Sequence, residues 1–130
     1  MKQIIPNLVV EPCTEALDFY KKVFDGEIRN IQFVDGKEMF AGQEGKVVHA
    51  ELAINAQCVL YLCDALRPKT SGDNISLMLQ LESIEEIDRL FLRLCENGTV
   101  IFPLQKTFWG ADHAVVRDKY GIVWHLDYTA

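Results

Sequence analysis

An amphipathic helical stripe occurs twice in this chain at a fixed interval, and that recurrence constrains the fold more than any other feature. In residues 14–24, Ala16, Phe19, Tyr20 and Val23 fall at i, i+3, i+4 and i+7, while Glu15, Asp18, Lys21 and Lys22 take the opposite face. This is the pattern of a helix packed on one side. Adding 71 to each apolar position gives Ile87, Leu90, Phe91 and Leu94. Asp25-Gly26 follows the first stripe and Asn97-Gly98 follows the second, one residue out of step. A stripe repeated together with its terminator points to duplication of a whole supersecondary unit.

The flanking segments read as strands. Residues 4–10 form a strand candidate with Pro6 near its start, where the missing N–H does least harm. The first helix then ends at Gly26. Strands at 27–34, 47–54 and 57–63 follow, separated by Asp35-Gly36, a Gly-containing loop and the tight Asn55-Ala56 link. A polar loop at 66–73 leads to a strand at 75–81. Ser83 and Glu86 form an S-x-x-E capping box opening the second helix. Strands at 99–102, 113–118 and 122–128 complete the count, with a Tyr120-Gly121 hairpin joining the last two. Strand, helix and three strands thus occur twice. The expected class is α+β, a single domain over 1–130 made of two βαβββ repeats, about 1–65 and 73–130.

Composition narrows the partners. The formal charge of -6, from 19 acidic and 13 basic residues without a basic cluster, argues against nucleic acid and anionic membrane surfaces. No window approaches the length of a membrane span, and the first ten residues are too polar for a secretory signal. Cys13, Cys58, Cys63 and Cys95 show no zinc-like or redox-like spacing, so reduced thiols and a cytoplasmic location are expected. The remaining candidates are a small-molecule ligand or a protein.

Side chains alternate faces along a strand, so parity separates core from open face. In the third strand Val48, Ala50, Leu52 and Ile54 make the apolar set and leave His49 with Glu51. In the fifth, Ile75, Leu77, Leu79 and Leu81 go under the helix and leave Ser76, Met78 and Gln80. The last strand puts Trp124, Leu126 and Tyr128 on one side and Val123, His125 and Asp127 on the other. Two curved sheets whose polar faces carry Asn7, His49, Glu51, Tyr61, Ser76, Gln80 and His125 would enclose a half-polar cavity suited to a small ligand.

Four segments, EALDFYKKVFDGEI, VVHAELAI, NISLMLQL and PLQKTFWGADHAVVRDKYGIVWHLDY, together resemble the vicinal oxygen chelate superfamily, the glyoxalase and bleomycin-resistance fold, over essentially the full length. The nearer resemblance is to its PhnB-like branch, also labelled 3-demethylubiquinone methyltransferase-like. The resemblance implies a U-shaped mixed-sheet half-barrel with the helices outside, and a homodimer. It also implies a site in the concave face, with metal ligands on four strands at the places of Asn7, Tyr61, Ser76 and His125. Only one of those four is a usual metal ligand, so the superfamily metal and other cofactors are not expected, with a rearranged metal set of His49, Glu51 and His125 as the alternative.

For His49 and Glu51 the alternatives are an imidazole–carboxylate pair facing a ligand and a polar cross-strand network. His125 is assigned to the cavity, and His113 to the cavity or to solvent. Trp109, with Phe108 beside Gly110, is a candidate wall or lid, while Trp124 is assigned to the core. The cysteines read as small hydrophobes, and Ser76 lacks any sign of an activating triad. The leading functional reading is a small-molecule-binding protein. The alternatives are an enzyme of lyase, isomerase or dioxygenase type and a protein sequestering a cationic antibiotic. No glycine-rich nucleotide loop supports methyl transfer.

Overall fold

The computed structural model describes residues 1–35 and 40–130. Its elements are β1 (Asn7–Val9), α1 (Cys13–Phe24), β2 (Glu27–Phe33), β3 (Val47–Ala53), β4 (Val59–Cys63), β5 (Leu77–Gln80), α2 (Ile84–Leu94), β6 (Thr99–Lys106), β7 (Asp112–Arg117) and β8 (Val123–Tyr128). They fall into two compact units, Met1–Lys69 and Thr70–Ala130. The class is α+β, built from two βαβββ modules.

In the first unit the sheet order is β1-β4-β3-β2, with β1 parallel to β4 and the other pairs antiparallel. Helix α1 buries Cys13, Ala16, Leu17, Tyr20, Val23 and Phe24 and packs on β2, β3 and β4. Leu8, Val10, Ala50, Leu52, Leu60 and Leu62 are buried at alternate strand positions. Asp64 ties the helix to the sheet by accepting from the backbone N–H groups of Cys13 and Val47, both at 2.8 Å. The helix ends at Asp25, in the left-handed conformation with φ 52. Gly26, the expected terminator, follows that cap and sits in a tight approach, where a Cβ would lie 3.0 Å from the carbonyl oxygen of Ala53.

The second unit repeats the arrangement, β5-β8-β7-β6 with β5 parallel to β8. Helix α2 buries Ile87, Leu90 and Leu94 and packs on β7 and β8. Its cap forms as the sequence predicts, Glu86 donating its N–H to Ser83 Oγ at 3.1 Å, while the Glu86 carboxylate accepts from the N–H of Glu82. Trp124 is fully buried and donates Nε1–H to buried Asp118 at 2.8 Å. The hairpin between β7 and β8 also forms, with Gly121 at φ 88.

The strands depart from the sequence expectation at several points. β1 begins only at Asn7, and Ile4 is exposed. β5 is shorter than 75–81: Ile75, expected under the helix, is 80% exposed, because the chain bends over 73–75 before pairing begins. β6 runs on past 99–102 to Lys106 through Pro103, which an edge strand tolerates. In β3 the register steps from Gln32↔His49 to Phe33↔Val47, so Val48 is the extra residue of a bulge. The alternation flips there, and Val47 is fully buried while Val48 is half-buried. The Asp35-Gly36 turn expectation lies partly outside the described residues.

Candidate functional site

The face of the first unit's sheet opposite α1 is polar. Register places Arg29, Glu51, Tyr61 and Asn7 in one cross-strand row. His49 lies two residues before Glu51, and its Nε2 is 2.8 Å from Glu51 Oε2. Asn30 Nδ2 donates to Glu51 Oε1 at 3.1 Å, and the His49 ring meets Tyr61 edge-on with centroids 4.7 Å apart. Asn30 reaches Glu51 because β2 bulges between Arg29 and Gln32, and Asn30 takes a left-handed φ of 54, a conformation asparagine tolerates.

The hydrogen bonds from His49 and then Asn30 hold the Glu51 carboxyl below its ordinary pKa. Its side chain is 17% exposed and that of His49 is 27% exposed, enough for solvent or a ligand to reach both. Cys63 completes this face with Asn7 as a hydrogen-bonding neighbour. Burial, with Asp64 adding to it, pushes the Cys63 thiol up despite the opposing hydrogen bond from Asn7, so this sulfur is a thiol and not a nucleophilic thiolate at neutral pH.

In the second unit the open face carries a different set. His125 lies opposite Met78 on β5 and Val115 on β7. His113 lies opposite Asp127 on β8 and Gln105 on β6, and Gln80 of β5 also lies opposite Asp127. His125 Nδ1 stands 3.4 Å from His113 Nε2. Burial, then the neighbouring His113, lowers the His125 pKa, favouring a neutral ring at pH 7. Trp109 sits in the loop before β7 with its ring centroid 6.3 Å from that of His113, and exposed Phe108 meets it edge-on at 4.7 Å. Ser76 is exposed and precedes β5, so Met78, not Ser76, is the β5 residue beside His125.

The residues named from the sequence therefore group by unit. Asn7, His49, Glu51 and Tyr61 share the first face, where three of them touch. Gln80 and His125 share the second, with Trp109 at its loop. One participant, Asn30, was not singled out from the sequence, and His113 was left between cavity and solvent. Asn30 depends on a bulge that carries no composition signal. His113 had one: 61 + 64 gives His125 from Tyr61, and 49 + 64 gives His113 from His49, so the strand repeat places the two histidines at equivalent positions. Gln32 faces His49 as Gln105 faces His113.

The superfamily-type metal positions are an amide and a phenol in the first unit and a hydroxyl and one imidazole in the second. Among the described residues no group of three or more His, Cys, Asp or Glu side chains is placed to hold a metal ion. These donors do not fit a divalent cation bound in the superfamily manner.

The 3-demethylubiquinone-9 3-methyltransferase family model matches residues 2–127, and the chain belongs to that family, the PhnB-like branch of the glyoxalase and bleomycin-resistance proteins. It is 30% identical over 132 residues to protein Mb0911c of Mycobacterium bovis, covering 93% of this chain and 79% of the relative. A PhnB protein from Bacillus cereus, described as a putative 3-demethylubiquinone-9 3-methyltransferase, superposes with a TM-score of 0.83 at 30% identity, covering 98% of this chain and all of the other. A glyoxylase/bleomycin resistance protein/dioxygenase domain from Frankia superposes with a TM-score of 0.73 at 14% identity over 100% of this chain and 93% of that one, which establishes a shared fold. No helix of the described residues is long and apolar enough to cross a membrane.

Proposed function

We propose that this protein binds a small, polar or aromatic metabolite without the superfamily's divalent ion, as a cytoplasmic homodimer. The observation that carries the reading is the linked His49–Glu51–Asn30 set on an open sheet face. A carboxylate that accepts from both Asn30 and His49 fixes the imidazole's orientation and its tautomer. With Nε2–H committed to Glu51, Nδ1 is left as an acceptor for a donor group on the ligand. Tyr61 and Asn7 in the adjoining row add a hydroxyl and an amide to this face, and the second unit's own open face carries Gln80, His125 and Trp109 as separate candidate ligand contacts. A site of few placed polar groups among apolar ones is the usual chemistry of small-molecule recognition.

A second reading has support in the same pair. An imidazole held by a carboxylate is also a proton acceptor, so an acid–base enzyme acting on a small metabolite would use the same face. A thermal-shift screen with small metabolites, run on the native chain and on His49→Asn, tests binding. Compounds that raise the midpoint of the native chain and not of the variant are expected. A screen in which no compound separates the two proteins would overturn the role of this face. Turnover of a hit compound would select the enzymatic reading.

A further inference from the structure

We propose a second site, confined to the Thr70–Ala130 unit, in which His113 Nε2, His125 Nδ1 and the thioether of Met78 bind copper(I). The two ring nitrogens face one another at 3.4 Å. That is longer than the about 2.7–3.2 Å of an ordinary N–H···O bond. It matches the bite of a metal ion: two nitrogens about 2.0–2.1 Å from one cation, at tetrahedral to trigonal angles, lie roughly 3.3–3.6 Å apart. Both nitrogens offer lone pairs only when the rings are neutral with their protons on the far atoms. Without a cation the facing pair is an N–H···N contact whose donor depends on the tautomer, and a cation bound between the nitrogens takes the place of that proton.

The third donor selects the metal. Met78 is the register partner of His125 in the parallel β5–β8 pair, so both side chains stand on the same face one strand spacing apart, about 4.8 Å. Met78 is 55% exposed, and its unbranched, rotatable chain swings toward a neighbour without repacking a core. Asp127, the carboxylate facing His113 across the strands, does not complete a His–His–carboxylate group, since no cluster of three such side chains is present among the described residues. Zinc and other borderline cations therefore lack a third preferred ligand. A soft cation satisfied by two imidazoles and a thioether does not. This site shares only His125 with the superfamily's metal positions and draws no ligand from the first unit.

Thiols compete for copper(I), so the test uses a Cys58→Ser, Cys63→Ser, Cys95→Ser background, Cys13 being fully buried with its pKa pushed up to about 12. Under anaerobic, reducing conditions the protein is titrated against a chromophoric copper(I) chelator, with zinc(II) binding measured in parallel. One equivalent of copper(I) is expected, with a sulfur neighbour in the copper X-ray absorption spectrum. His113→Asn should weaken binding at least tenfold. Met78→Leu, at an exposed position that does not threaten folding, should weaken copper(I) about tenfold, remove the sulfur neighbour and leave weak zinc binding unchanged. Absence of stoichiometric copper(I), undiminished binding in His113→Asn, or a sulfur neighbour that persists in Met78→Leu each overturns the assignment.

Discussion

Asp118 shows how much one side chain can organise. Its buried carboxylate accepts from Trp124 Nε1 at 2.8 Å and from the backbone N–H groups of Tyr120 and Ile122. Asp118→Ala leaves three donors without this acceptor, and unsatisfied buried donors cost about 1–3 kcal/mol each. A loss of roughly 3–5 kcal/mol is expected in urea unfolding, once partial access of water to the turn is allowed for. His125 carries a pH-dependent contribution instead. Its pKa is lowered from 6.5 in the fold, so the unfolded chain binds the proton more readily. Stability from this group is complete above pH 6.5 and is lost as pH falls through the folded value. Unfolding of His125→Gln, followed from about pH 7.5 to 5, should show a shallower loss than the native chain, and equal slopes would sink the assignment. The chemistry-bearing residues were partly legible. Alternation alone put His49 with Glu51, and His125 opposite the packed Trp124. Asn30 was not legible, because its contact with Glu51 exists only through a bulge and a left-handed backbone that many other sequences would also allow.

Helices were easier to read than strands because their signals are redundant. In α2 the apolar stripe, the Ser83 cap and the Asn97-Gly98 terminator each point to the same segment, and the element forms where they place it. Ser83→Ala, which removes the acceptor for the Glu86 N–H, should cost about 1 kcal/mol in chemical denaturation. A larger effect is expected just beyond the helix. At Gly98 a Cβ would run into the backbone carbonyl of Arg117, and backbone cannot swing aside as a flexible side chain can. Gly98→Ala should therefore destabilise by roughly 2–4 kcal/mol, and a change under 0.5 kcal/mol on the ~ scale of surface substitutions would contradict the close approach. Strand ends were less legible. β6 continues through Pro103 and two register shifts, and β5 starts two residues late because the chain bends over 73–75. Parity counts from the wrong origin once a bulge inserts a residue, which is why Val47 and not Val48 is the fully buried valine.

Each unit leaves β2 or β6 at an edge of its sheet, and both strands carry exposed apolar side chains. Ile31 and Phe33 are 42% and 54% exposed on β2, and Phe102 is 56% exposed on β6 beside Val100 and Ile101. An edge of unpaired backbone groups flanked by exposed aromatic side chains invites pairing with another chain unless something covers it. The net charge of -6 opposes indiscriminate association, since like-charged molecules repel at long range, and this favours a limited assembly over open-ended aggregation. A dimer is therefore expected at micromolar concentration, with light scattering giving twice the 14.8 kDa of one chain. If an edge carries the contact, a lysine placed there should undo it without touching the core. Phe33→Lys and Phe102→Lys are each half-exposed substitutions, so the fold should survive with an unchanged circular dichroism spectrum. At least one of them should shift the scattering mass to that of a single chain. A native chain that scatters as 14.8 kDa throughout the accessible concentration range would show that the exposed aromatic edges are tolerated by the monomer, with charge alone keeping them apart.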